Sequence, residues 1–187
     1  MGGQWQVEII AAEINQDTHV ETGAVDADYA LVVRGHSGVV PPCDTALVKY
    51  CTAKPGLTCG TPAISTFGQP NINQANGFFI FAGPARTNKS GLLIYTNTGR
   101  NNAPFLGGTL CINTPLRRAP TVNSGGSLTC DGEFSIDMNA YASGAIGGNP
   151  AAYLITPGNT ITAQWWGRDS IPTGSFLSDA VEWVVCP

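Results

Sequence analysis

Pro157-Gly158-Asn159-Thr160-Ile161-Thr162-Ala163-Gln164-Trp165-Trp166-Gly167-Arg168-Asp169 is the stretch that decides the fold class. Pro157-Gly158-Asn159 is turn chemistry. It delivers Thr160 to Trp166, rich in β-branched and aromatic residues, as a strand. Neighbouring side chains on a strand point to opposite faces, so Trp165 and Trp166 cannot share one. One is expected in the core, the other exposed or beneath a loop. Arg168 shares parity with Trp166, which places its guanidinium to stack on that indole. A flat exposed Trp can hold a sugar ring, and it can also seal a sandwich beneath a loop; sealing is the commoner use. Trp165, Trp166 and Arg168 are therefore the candidate ligand-binding residues.

The same texture extends in both directions. Trp5, Val7, Ile9 and Ala11 alternate with Gln4, Gln6 and Glu8, and Tyr29, Leu31 and Val33 alternate likewise. Phe78-Phe79-Ile80-Phe81 and Leu92-Leu93-Ile94-Tyr95 are short apolar runs bounded by turns, as in strands covered on both faces. Phe134, Ile136 and Met138 alternate with polar residues. Val181, Trp183 and Val185 share one face of a last strand, Ala180 to Cys186. Gly and Pro interrupt almost every stretch, which leaves little room for long helices. Roughly seven to ten short strands are expected. The fold class is all-β: a disulfide-stabilised antiparallel β-sandwich, jelly-roll or Ig-like. Gly35 to Pro42 reads as a linker. Residues 1–37 form an N-terminal strand pair and residues 38–187 the sandwich module.

Composition narrows the function classes. Only 12% of the 187 residues are charged, against a usual value of about 25%, which suits an extracellular β protein better than a cytosolic enzyme. The nine Lys and Arg form no dense cluster, so nucleic acid is not an expected partner. No apolar run is long enough to span a membrane. Met1-Gly2-Gly3-Gln4 has neither a charged n-region nor an apolar h-region, which reads as a leader absent or removed. The six cysteines, Cys43, Cys51, Cys59, Cys111, Cys130 and Cys186, are even in number and lack C-x-x-C spacing. They read as disulfides in an oxidising compartment. The expected location is secreted, extracellular or at the cell surface.

Catalytic readings fare poorly. Gly35-His36-Ser37-Gly38-Val39 departs from G-x-S-x-G, and Pro41-Pro42 stands where a helix should begin. His19 and His36, the only histidines, carry no local signature. Asp131, Glu133, Asp137, Asp169, Asp179 and Glu182 read as turn residues and as ion-pair partners for Arg117, Arg118 and Arg168. No catalytic residue is assigned and no organic cofactor is implied. Asn15, Asp17, Glu21, Asp26 and Asp28 offer oxygen ligands for a structural calcium ion. Their spacing is not that of an EF-hand, and a solvated loop is the favoured reading.

From Tyr50 onward the chain resembles a C-terminal module of large secreted proteins of planctomycete-like and myxobacteria-like bacteria. The motifs are Tyr50-Cys51-Thr52-Ala53-Lys54 with Cys59-Gly60-Thr61-Pro62, Gly91-Leu92-Leu93-Ile94-Tyr95 with Gly99-Arg100, and Gly107-Gly108-Thr109-Leu110-Cys111 with Arg117-Arg118. Phe134 to Asn139, Gln164 to Asp169 and Leu177 to Trp183 complete the set. That module follows catalytic or repeat domains, which implies a non-catalytic accessory role in attachment, sorting or assembly. Trp5 to Ile10 and Asp28 to Val33 resemble the last strands of the β-sandwich behind subtilisin-like protease domains. The implied partners are an upstream domain of the parent protein and a polysaccharide or cell surface. The alternatives are a carbohydrate-binding module using an exposed Trp and an uncharacterised extracellular hydrolase. A homo-oligomer through residues 4–34 is expected if those strands lack intramolecular partners. Short loops close most easily, so Cys51–Cys59, Cys111–Cys130 and Cys43–Cys186 are the expected bonds, and the two local pairs agree with the resemblance.

Overall fold

The computed structural model describes residues 47–56, 58–169 and 174–187. The chain divides into Met1–Pro41 and Pro42–Pro187. The expected strands at Trp5–Ala11 and Tyr29–Val33, and the linker after them, lie outside the described residues.

Among the described residues there are eleven strands, one short α-helix and one 3-10 turn. The strands are β1 (Val48–Tyr50), β2 (Ala63–Phe67), β3 (Phe79–Ala85), β4 (Ser90–Thr96), β5 (Arg100–Phe105) and β6 (Gly108–Ile112). They continue with β7 (Arg117–Arg118), β8 (Val122–Asn123), β9 (Gly132–Asp137), β10 (Thr160–Arg168) and β11 (Ser175–Val184). One sheet has the order β1-β11-β10-β4-β7, with β8 also on β4. A second has the order β2-β3-β9, and β5-β6 form a separate hairpin. All these strand pairings are antiparallel. The fold is the expected all-β sandwich, with one further layer.

Alternation on β10 builds that arrangement. Ile161, Ala163 and Trp165 point to the three-stranded sheet and enter the main core with Leu93, Tyr95, Val181 and Trp183. The facing sheet contributes Ile64, Ile80, Ala82, Phe134 and Ile136. Phe134 stacks on Trp165 with ring centroids 5.5 Å apart. Its ring fits because Gly91 and Gly167, paired across β4 and β10, carry no side chain. A Cβ at Gly91 would stand 2.5 Å from the Phe134 ring, and one at Gly167 2.8 Å from it.

The opposite face of the larger sheet is covered by the β5-β6 hairpin. Ile94 and Ala180 pack there with Leu110, Cys111 and Ile112. Gln164, fully buried, ties the two layers. Its Nε2 donates to the carbonyls of Thr109 at 3.0 Å and Ser178 at 2.7 Å, and its Oε1 accepts from the Cys111 amide at 3.1 Å. The Gln164 carboxamide thus meets both a backbone amide and backbone carbonyls, the pairing a buried polar side chain requires.

Two local expectations change. Met138 does not continue β9 but opens the helix Met138–Ala142, because the Asp137 carboxylate accepts from the Asn139 and Ala140 amides as an N-cap. The run Phe78 to Phe81 is covered on one face only. Phe78 and Ile80 are buried, while Phe79 and Phe81 point outward.

Candidate groove beside Trp166

A groove of about 200 Å³ opens on the outer face of the larger sheet, where the hairpin ends. Leu92 and Ile94 of β4 and Trp166 of β10 form its floor, and Phe105, Leu106, Leu116 and Arg118 its rim. Strand parity puts Leu92, Ile94 and Trp166 on this face, opposite the face that Leu93, Tyr95 and Trp165 give to the core. Leu106-Gly107 is the two-residue loop joining β5 and β6, with φ of +48° and +78°. Positive φ at both places is the type I′ pattern, whose usual first residue is Asn, Asp or Gly. Leu106 is 53% exposed. Lys54 holds the loop: its Nζ donates to the Leu106 carbonyl at 2.6 Å and to Ser175 Oγ at 2.9 Å. The Arg118 side chain is exposed and has no ion-pair partner among the described residues.

Trp165 is fully buried against Phe134 and offers no surface to a ligand. Trp166 is half-buried and is the indole that reaches the groove. The indole nitrogens of both are buried without a hydrogen-bond partner. Arg168 is exposed at the end of β10. Among the described residues the guanidinium found over an aromatic ring is that of Arg100, 4.4 Å from the Tyr50 centroid, not that of Arg168, and Arg118 lines the groove with Trp166.

The carboxylates have structural work. Asp131 accepts from the Ser127 and Leu128 amides, which hold its carboxyl down at about 2. Asp137 caps the helix and also accepts from the Gly77 amide. Asp179 accepts from the Ile64 amide across the sandwich at 2.6 Å, and burial raises its pKa despite that bond. Glu182 pairs with Arg100 at 2.7 Å, not with the three arginines the sequence suggested. Tyr50 is pushed up to about 12, chiefly by burial, and donates to the Cys111 carbonyl. Among the described residues, no group of three or more His, Cys, Asp or Glu converges as metal ligands do. Asn15, Asp17, Glu21, Asp26, Asp28, His19, His36 and Ser37 lie outside the described residues.

Both local cysteine pairings are overturned. The bonds are Cys51–Cys111, spanning 60 residues, and Cys59–Cys130, spanning 71. Cys51 follows β1, whose Tyr50 pairs with Ala180. Cys111 lies over Ala180 in the outer layer, so the two meet. Loop-closure entropy rises only by about 0.6 kcal/mol per doubling of length, too weakly for local pairing to outweigh register. Cys186 is disulfide-bonded, and its expected partner Cys43 lies outside the described residues.

Leu106 escaped the sequence reading, although Phe105-Leu106-Gly107-Gly108 carries a hairpin signal in its paired glycines. Phe79 and Phe81 were expected to be covered, because an apolar run does not reveal which of its faces is covered. Among the described residues, no helix is long and apolar enough to cross a membrane. Compared with protein-family models, curated proteins and solved structures, the chain matches none.

Proposed function

We propose that the chain is a non-catalytic C-terminal accessory module of a secreted multidomain bacterial protein, serving attachment or assembly. The groove beside Trp166 then receives a peptide segment with apolar side chains and one carboxylate. Leu106 carries this reading. A leucine at positive φ costs about 1–2 kcal/mol, and here it also exposes apolar surface at the rim of an apolar groove. A strained residue held by its surroundings, where Asn would serve the turn better, fits a surface kept for binding rather than stability. The floor of Leu92, Ile94 and Trp166 suits apolar side chains, and the Arg118 guanidinium supplies a charge complement for the carboxylate. Secretion accords with the disulfides Cys51–Cys111 and Cys59–Cys130.

The test is an array of synthetic apolar peptides, with and without a single Glu, probed with the full purified chain. Binding should require the carboxylate, weaken in Arg118→Gln and vanish in Trp166→Ala. The same preparation should cleave neither casein nor simple esters. Uniform retention on all peptides, or turnover of either substrate, would overturn the proposal.

A further inference from the structure

A small cavity of about 30 Å³ lies among the helix Met138–Ala142, the 3-10 turn Ala152–Ile155 and the loop of residues 70–74. Phe78, Met138, Leu154 and Trp183, all buried, give it apolar walls, and the exposed Ile72 and Ile155 flank it. No charged side chain lines it. Two carboxamides do, those of Asn71 and Asn139, which are only 6% and 7% exposed. Backbone bonds fix how each is turned. Asn71 Oδ1 accepts from the Asn73 amide at 2.8 Å, and Asn139 Nδ2 donates to the Gln69 carbonyl at 3.0 Å. The Asn71 amide donates to that same carbonyl, which holds the two asparagines side by side. Asn71 Nδ2 and Asn139 Oδ1 are left without a partner among the described residues. Neither atom is sealed in as the two indole nitrogens are, so each reaches solvent through the cavity its residue lines. Buried polar groups are normally paired, and one free donor beside one free acceptor calls for a ligand that supplies both.

We propose that this cavity binds a neutral acetamido group. The acetamido carbonyl accepts from Asn71 Nδ2, its N–H donates to Asn139 Oδ1, and its methyl meets the apolar walls. Size limits what enters. A space of about 30 Å³ is one water molecule's share of the liquid, which admits a methyl group and excludes a ring. The rest of the ligand stays outside, beside Ile72 and Ile155. A carboxylate is disfavoured, because it would find no cation here and would face the Asn139 oxygen. An ammonium group would face the Asn71 NH₂ and apolar walls. A hydroxyl could bridge the two asparagines but would gain nothing from the walls. Trp166 and Arg118 line no part of this cavity, so it is distinct from the groove.

The experiment is an NMR titration of the full chain, isotope-labelled at nitrogen, at pH 7. The probes are N-acetylglucosamine and N-acetylalanine, with glucose and alanine as their counterparts without the acetyl group. At least one acetylated probe should bind, with a dissociation constant on the order of 1–10 mM for so small a buried group. The side-chain amide signals of Asn71 and Asn139 should shift, and glucose and alanine should move neither. Binding of both probes assigns recognition to the acetamido group alone, and binding of one names the sugar or the amino acid as its source. Asn71→Asp keeps the side-chain shape and the acceptor for the Asn73 amide but replaces the free donor with an oxygen. Ala142→Val narrows the cavity and touches neither asparagine's hydrogen bonds. Each variant should bind at least about tenfold more weakly, and a thermal melt identifies any that fails to fold. The inference is overturned if neither acetylated probe binds, or if glucose and alanine bind equally well. It is also overturned if a folded Asn71→Asp or Ala142→Val protein binds undiminished. The groove proposal fails or stands separately, because its test rests on Trp166→Ala and Arg118→Gln.

Discussion

Replacing Gln164 with Met keeps the side-chain volume close to native and removes only the carboxamide. Three backbone groups then lose their bond to it: the Cys111 amide and the carbonyls of Thr109 and Ser178. An unsatisfied buried group costs about 1–3 kcal/mol. Partial relaxation of the hairpin places the total at about 3–6 kcal/mol. That is a large share of a domain stability of about 5–15 kcal/mol. The assay is guanidinium denaturation followed by tryptophan fluorescence, with disulfides intact. The midpoint should fall steeply with little change in slope. Amide exchange at Cys111 should accelerate more than at Ile80, which lies in the other sheet. A Gln164→Met protein within about 1 kcal/mol of wild type would refute the claim that this side chain fastens the hairpin to the sheet.

Gly91→Ala and Gly167→Ala should each destabilise by about 1–3 kcal/mol through overpacking against Phe134; a neutral melt for both would contradict the tight slot. Peptide mapping without reduction should recover Cys51 joined to Cys111 and Cys59 joined to Cys130, and a Cys51–Cys59 peptide would contradict the layer arrangement. Losing the Cys51–Cys111 bond through paired alanines should cost about 4 kcal/mol for a 60-residue loop. Asp179 binds its proton more tightly folded than unfolded because burial disfavours the carboxylate. Its contribution is therefore most favourable below the ordinary value of 3.8 and is lost as pH rises through the folded value. Asp179→Asn, which keeps an acceptor for the Ile64 amide, should raise the melting temperature at pH 7 and change it little at pH 3. An equal shift at both pH values would contradict that sign.

The sandwich was legible because β10 and the end of β11, from Ala180 onward, alternate cleanly, although a bulge opposite Gln164–Trp166 shifts the start of β11. Trp165 and Trp166 could be assigned to opposite faces from parity alone, and Val181, Trp183 and Val185 to one core. The hairpin was not legible. Arg100-Asn101-Asn102-Ala103-Pro104 has the composition of a loop and becomes β5 only because Leu110 and Ile112 of β6 find an apolar sheet face to cover. Tertiary packing overrides propensity there. The disulfides were misread for a related reason: bond partners follow sheet register, which spacing does not encode. The groove was half visible. Trp166 stood out in the sequence, but Leu106 gains its meaning only from its backbone angle and its place beside that indole.

The most direct test of the attachment reading is denaturant unfolding of wild type and Leu106→Asn, each with and without the best acidic apolar peptide from the array. Asn relieves the turn, so the variant should be about 1 kcal/mol more stable than wild type without peptide. Peptide at 100 times its dissociation constant should stabilise wild type by about 2.7 kcal/mol and the variant far less. A Leu106→Asn protein that is less stable than wild type, or that gains as much from the peptide, would contradict the claim that Leu106 is kept for binding.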